Sequence, residues 1–143
     1  QVRGFGALPR AEKEARTVAD VGALHGKATA VLGADAVPGE VVLASTLEYV
    51  RIPRTVACDL KLKSTLGRLW INHSLAGWCD PGFQGNITLE LQNLGPTPFV
   101  LDANRRIAQL IFVAMESEPE VAYGEPGSSS HYQGQRGTTI ARK

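Results

Sequence analysis

The run Asn86-Ile87-Thr88-Leu89-Glu90-Leu91-Gln92-Asn93 decides the fold. Ile87, Leu89 and Leu91 fall on one face and Thr88, Glu90 and Gln92 on the other, the period of two that marks a half-buried β-strand. Just before it, Asp80-Pro81-Gly82 is a turn signal: Asp opens turns and Pro-Gly fills their centre. Val56 to Lys63 repeats the alternation, with Val56, Cys58, Leu60 and Leu62 set against Ala57, Asp59, Lys61 and Lys63. Val41 to Leu43 follows Pro38-Gly39, Thr46 to Val50 has β character, and Leu69–Ile71 and Phe99–Leu101 are short apolar runs. Ile107 to Val113 is continuously apolar, which predicts a strand covered on both faces. Many short strands divided by Gly, Pro and Asn predict an all-β barrel or sandwich.

The chain has 143 residues, one domain's worth, with 43% apolar and 20% charged side chains. A net charge of +1 provides no basic field, so no nucleic-acid partner is expected and any anion site must be local. No apolar run reaches the length of a membrane span and no signal peptide is visible, so no membrane partner and a cytoplasmic location are expected. The chain begins at Gln1 rather than Met, which leaves room for a preceding segment. Cys58 and Cys79 lack CxxC spacing and are read as two buried thiols of a reducing compartment, with pairing as the alternative. His25, His73 and His131 are scattered, and no His-x-Glu or Pro-Cys-x-x-Cys is present, so zinc-assisted base deamination is disfavoured.

Three divisions follow. Residues 1–37 read as an irregular or helical lead-in, with a weak amphipathic pattern between Pro9 and Leu24. Gly4-Phe5-Gly6 lacks the strand and the Lys-Ser/Thr of a phosphate loop and reads as flexible lead-in. Residues 38–122 form the β domain. Residues 123–143 are rich in Gly, Ser and Gln with little apolar periodicity; composition favours a disordered terminus over an arm that closes on a ligand.

Chemistry concentrates between Lys63 and Leu91. Ser64-Thr65-Leu66-Gly67-Arg68 offers hydroxyls and a guanidinium at a one-turn helix entrance, groups that suit a phosphate, with Lys63 adding charge. The alternative is an ordinary polar loop capping a helical turn. Asp80 is either a turn residue or a carboxylate holding a water or a sugar hydroxyl. Glu90 lies on the polar face of its strand, where most glutamates are simply solvated; facing a cleft, it has the chemistry of a general acid and base. His73, with no partner near it in sequence, reads as a packed or exposed strand residue, and Trp78 and Cys79 as core or interface.

These motifs together resemble the dCTP deaminase family of the dUTPase-like superfamily. The likeness runs from Pro38 to about Arg136 through Ser45-Thr46-Leu47-Glu48-Tyr49-Val50, KSTLGRL, HSLAG, DPGFQGNITLEL, RIAQLIF and HYQGQRG. Each piece alone is weak and the combination is specific. Four departures stand out: residues 1–37 lack the family's QPSSVDLRLG-like segment, Arg68 to His73 is one residue short, Leu75 replaces a usual Thr, and His131 replaces a usual Lys or Arg.

The resemblance implies a distorted β-barrel or jelly-roll of the dUTPase-like type, assembled as a homotrimer with sites between subunits and a flexible C-terminal arm folding over the nucleotide. It implies Glu90, Ser64 and Arg68 as catalytic residues. Lys63, Thr65, Ala76 (through its backbone), Asp80, Tyr123, His131 and Gln135 would bind substrate. No metal is implied on protein ligands; Mg2+ would ride on the triphosphate. The implied activity is hydrolytic deamination of dCTP to dUTP, and on to dUMP and diphosphate if Asp80 aims a water at the α-phosphate. A dUTP diphosphatase and a non-catalytic dNTP-binding regulatory subunit are the alternatives.

Overall fold

In a computed structural model of the chain, residues 35–73, 77–101 and 105–142 are described. The expected helix after Pro9, the lead-in before residue 35, and Ala76 fall outside the described residues. Among the described residues, eight strands and one helical turn follow in order: β1 Asp35–Ala36, β2 Val41–Arg51, β3 Val56–Leu62, α1 Ser64–Arg68, β4 Ile71–Asn72, β5 Trp78–Cys79, β6 Gln84–Asn93, β7 Phe99–Val100 and β8 Ala108–Ala114. Antiparallel pairing gives three sheets: β1-β7, β2-β6-β4 and β5-β3-β8. This is the all-β class the alternation predicts.

The core is the inward face of those alternations. Leu60, Leu89, Leu91, Ile107, Val50 and Val56 are the large apolar side chains shut away from solvent. Each such burial contributes on the order of 1.5–3 kcal/mol, and β6 supplies two of the six.

Three local expectations change. First, the two β-like pieces at 41–43 and 46–50 are one eleven-residue strand, interrupted between Ser45 and Tyr49 by a bulge against β6. Asn86 explains the bulge: its side-chain amide donates to the Thr46, Leu47 and Glu48 carbonyls at 3.1, 3.2 and 3.0 Å. The hydrogen-bonding capacity that the irregular backbone exposes is thus met by a side chain.

Second, Leu69 and Trp70 do not extend a strand. They close α1, with Trp70 in the left-handed region at φ 62, and the strand is Ile71–Asn72. Third, β8 is not covered on both faces. It is the outer strand of its sheet, and Ile111 and Val113 remain 46% and 42% exposed because no described part of the chain lies over them.

Cys58 and Cys79 face each other across β3 and β5, both free and buried. Contact with the Cys79 thiol, and then burial, push the Cys58 thiol far above its ordinary value, so it stays protonated at neutral pH.

Candidate active site

A cleft of about 650 Å3 opens between β5, the Asp80 turn, β6 and the C-terminal segment. Glu90 forms part of its wall. Alternation along β6 puts Leu89 and Leu91 in the core, which turns Glu90 and Thr88 to the other side, opposite Leu43 and Ser45 of β2. The Glu90 side chain is 25% exposed, and its Oε2 is buried with no hydrogen-bond partner among the described residues. The shielded oxygen can be held by the protein while the exposed part of the carboxylate keeps proton-accepting capacity at the cleft wall.

His73 sits beside it. The imidazole is fully shielded, and Nδ1 lies 3.8 Å from Glu90 Oε2. Burial pushes the imidazole below its ordinary value, against the opposing pull of the Glu90 carboxylate, so His73 is neutral at pH 7. This corrects the reading of His73 as a strand residue without a chemical neighbour. The pairing of β4 with β6 brings the two together, and no local spacing announces it.

Asp80 stands exposed at the cleft mouth, its Oδ1 accepting from Trp78 Nε1 at 3.1 Å. The turn it opens is closed by the Phe83 amide donating to the Asp80 carbonyl at 3.1 Å, with Gly82 at φ 92. Beyond its turn role, Asp80 lines the same cleft as Glu90.

The segment from Tyr123 onward lies along β6, where composition favours a disordered terminus. Tyr123 and Tyr132 pack against the core, and side-chain hydrogen bonds do the rest. Gln135 is buried, its Nε2 donates to the Asn86 carbonyl at 2.6 Å, and its own carbonyl accepts from the Asn86 amide at 3.1 Å. Gln133 Oε1 accepts from the Gln84 amide at 2.9 Å while its Nε2 donates to the Gly82 carbonyl at 3.0 Å. The Arg136 guanidinium stacks over the Tyr49 ring at 4.0 Å. Tyr123 packs edge-on to Phe83 at 5.6 Å, and its hydroxyl accepts from the Tyr132 amide at 3.0 Å. The exposed His131 ring borders the cleft.

The cleft therefore gathers Glu90, Asp80, Tyr123, His131 and Gln135. Lys63, Ser64, Thr65 and Arg68 do not line it. Ser64, Thr65 and Arg68 are exposed on α1, which forms the helical turn expected there and is anchored through buried Leu66. His73, beside Glu90, is the residue that sequence reading passed over; Gln133 belongs to the tail's run of hydrogen-bond donors and ties the arm to β6.

The family profile described as dCTP deaminase-like matches residues 9–115. The chain belongs to that family. The match begins inside the segment read as lead-in. A curated relative from Bifidobacterium longum (strain DJO10A), named dCTP deaminase, dUMP-forming, is 50% identical over 106 residues, covering 73% of this chain and 55% of that protein. The chain thus spans about half the length of the curated relatives it matches. The 2'-deoxycytidine 5'-triphosphate deaminase of Agrobacterium tumefaciens superposes with a TM-score of 0.52 at 26% identity, over 58% of this chain and 26% of that one. The EIAV dUTPase superposes at 0.53 with 19% identity, over 66% of this chain and 78% of that one, a likeness of fold alone. The architecture is dUTPase-like.

Proposed function

We propose that this chain serves the hydrolytic deamination of dCTP, with dUMP and diphosphate as final products. One observation carries the reading: a strand-borne carboxylate, Glu90, with a buried unpartnered oxygen at the wall of a cleft bordered by a side-chain-tethered arm. In the reaction, Glu90 takes a proton from the water that attacks C4 of cytosine. It delivers that proton to the ring and assists the departure of ammonia, leaving a uracil. Asp80, at the cleft mouth, is suited to aim a second water at the α-phosphate, which would convert dUTP to dUMP and diphosphate. The relatives' dUMP-forming name favours that second step.

Ser64 and Arg68, with Lys63 and Thr65, complete the site from a neighbouring copy in a homotrimer; their exposure outside this chain's own cleft supports that division. Tyr123, His131 and Gln135 line the face that the arm, residues 123–143, presents to the nucleotide; Ala76, outside the described residues, is assigned to the base by the family resemblance. Mg2+ fits as cargo of the triphosphate. Among the described residues no group of three His, Cys, Asp or Glu side chains forms a cage for it, and magnesium keeps several waters in any case. Among the described residues no helix is long and apolar enough to cross a membrane, and the proposed location is cytoplasmic.

The test is incubation with dCTP and Mg2+ followed by separation of dCTP, dUTP and dUMP and assay of ammonia. Glu90→Gln should lower kcat for ammonia release by about 10²–10⁴-fold. Asp80→Asn should still release ammonia but accumulate dUTP. Unchanged ammonia release in Glu90→Gln overturns the reading. Formation of dUMP from dUTP with no ammonia from dCTP would make the chain a dUTP diphosphatase, and tight dNTP binding without product a regulatory subunit.

A further inference from the structure

Among the described residues, Glu90 Oε2 and both ring nitrogens of His73 are buried polar atoms without a close hydrogen-bond partner, the Glu90 main chain also lying near the ring. Three such atoms side by side are costly unless they serve one another, since each leaves its desolvation uncompensated. The ring has two faces of contact. Nδ1 looks toward Glu90 Oε2 at 3.8 Å. Nε2 looks toward Gly77, where an added Cβ would lie 3.6 Å from it and 3.0 Å from Asp59 Oδ1. Asp59 is itself engaged by Lys61 at 2.6 Å, so the charged groups near the imidazole are Glu90 from β6 and the Asp59–Lys61 pair from β3. Lys61 holds Asp59 Oδ2, and of the two carboxylates Glu90 exerts the larger pull on the ring.

We propose that His73 is the positioning residue for Glu90: its imidazole directs Nδ1–H at Oε2, fixing the carboxyl against the cleft wall so that the other oxygen meets the attacking water. This rests on the deaminase reading given above. The 3.8 Å separation is longer than a hydrogen bond. Closing it takes about 1 Å, the tightening a catalytic pair undergoes when its ligand is bound. Fixing the carboxyl spares it an orientational search in the transition state, an effect that acts on kcat rather than on KM.

Two measurements test it on the full chain. The first needs no turnover: 15N NMR of the His73 ring across pH 5–8, in the wild-type protein and in Glu90→Gln. The Nδ1–H tautomer is expected in the wild type. Loss of the carboxylate, which favours the imidazolium, should move the His73 titration to lower pH in the variant. The second is steady-state dCTP kinetics of His73→Asn and His73→Gln. Asn puts its N–H where Nδ1 stands, whereas Gln puts it near Nε2. Asn should therefore keep most of kcat, and Gln should lose about 10²-fold with KM changed little. A purely structural role predicts the reverse, because the larger Gln fills the imidazole's volume better. Identical His73 ring shifts and titration in wild type and Glu90→Gln overturn the proposal, as does kcat in His73→Gln equal to or above that in His73→Asn. If the wild type releases no ammonia from dCTP, it is the deaminase reading that falls, and the NMR comparison alone decides whether His73 and Glu90 act as a pair.

Discussion

Gln135 Nε2 donates to the Asn86 main-chain carbonyl at 2.6 Å, joining the C-terminal segment to the strand that carries Glu90. The bond is buried, and Asn86 spends its own side chain on the β2 bulge and on the Gly137 amide at 3.1 Å. One residue of β6 thus holds both the irregular stretch of its neighbouring strand and the arm. Where Tyr132 and Gln135 of the arm sit, the cleft has a wall.

Gln135→Ala removes that donor and leaves a buried carbonyl short of a partner. The expected cost is about 1–3 kcal/mol, confined to the arm's attachment. Limited proteolysis should cleave after Arg136 or Arg142 sooner in the variant, with the thermal midpoint of the β core nearly unchanged. Equal cleavage rates would show that this bond does not hold the arm.

Gly82→Ala strikes the turn between Asp80 and β6. Gly82 has φ 92, and an added Cβ would sit 2.9 Å from both the Ala122 Cβ and the Tyr123 carbonyl. Both the left-handed backbone and main-chain atoms resist it, so the loss should exceed about 1 kcal/mol. Urea denaturation reads the stability. Because the same contact lies at the root of the arm, faster proteolysis there should accompany it.

Leu89→Ala tests the core side of the alternation. Leu89 is fully buried on β6 between the two positions that face the cleft. A cavity at this point should cost about 2–5 kcal/mol, read from the urea midpoint at constant m-value. Thr88→Ala, on the half-buried opposite face, should cost far less.

His73 gives the fold a pH dependence of defined sign. Burial holds its folded-state value below the ordinary 6.5. As pH falls through about 6.5 the unfolded chain takes up the proton first, so stability is fully present above that point and declines below it until the folded value is reached. Denaturation at pH 7.5 and pH 5 should show this loss in the wild type and a smaller one in His73→Asn. The Arg54 side is separate: its guanidinium pairs with Glu118 and Glu125 and holds the Glu125 carboxyl below its ordinary value.

Alternation over Asn86–Asn93 and Val56–Lys63, with a turn at Asp80-Pro81-Gly82, was enough to make the chain all-β and to turn Glu90 away from the core. These are properties of neighbours in sequence: side chains on a pleated strand leave on alternate faces whatever the rest of the molecule does. Which strands become edges is different, and Ile107–Val113 shows it. An apolar run reads alike whether another layer covers it or not, and here Ile111 and Val113 are left bare.

The tail shows a second limit. Gln133 and Gln135 act through hydrogen bonds to particular main-chain atoms, and such bonds leave no periodic trace in composition. The sequence by itself therefore determined the strand class, the turn and the two faces of β6. Only the tertiary structure decided that His73 comes to rest against Glu90 and that the arm lies along β6: the first depends on strand pairing and the second on side-chain hydrogen bonds, and both join residues distant along the chain.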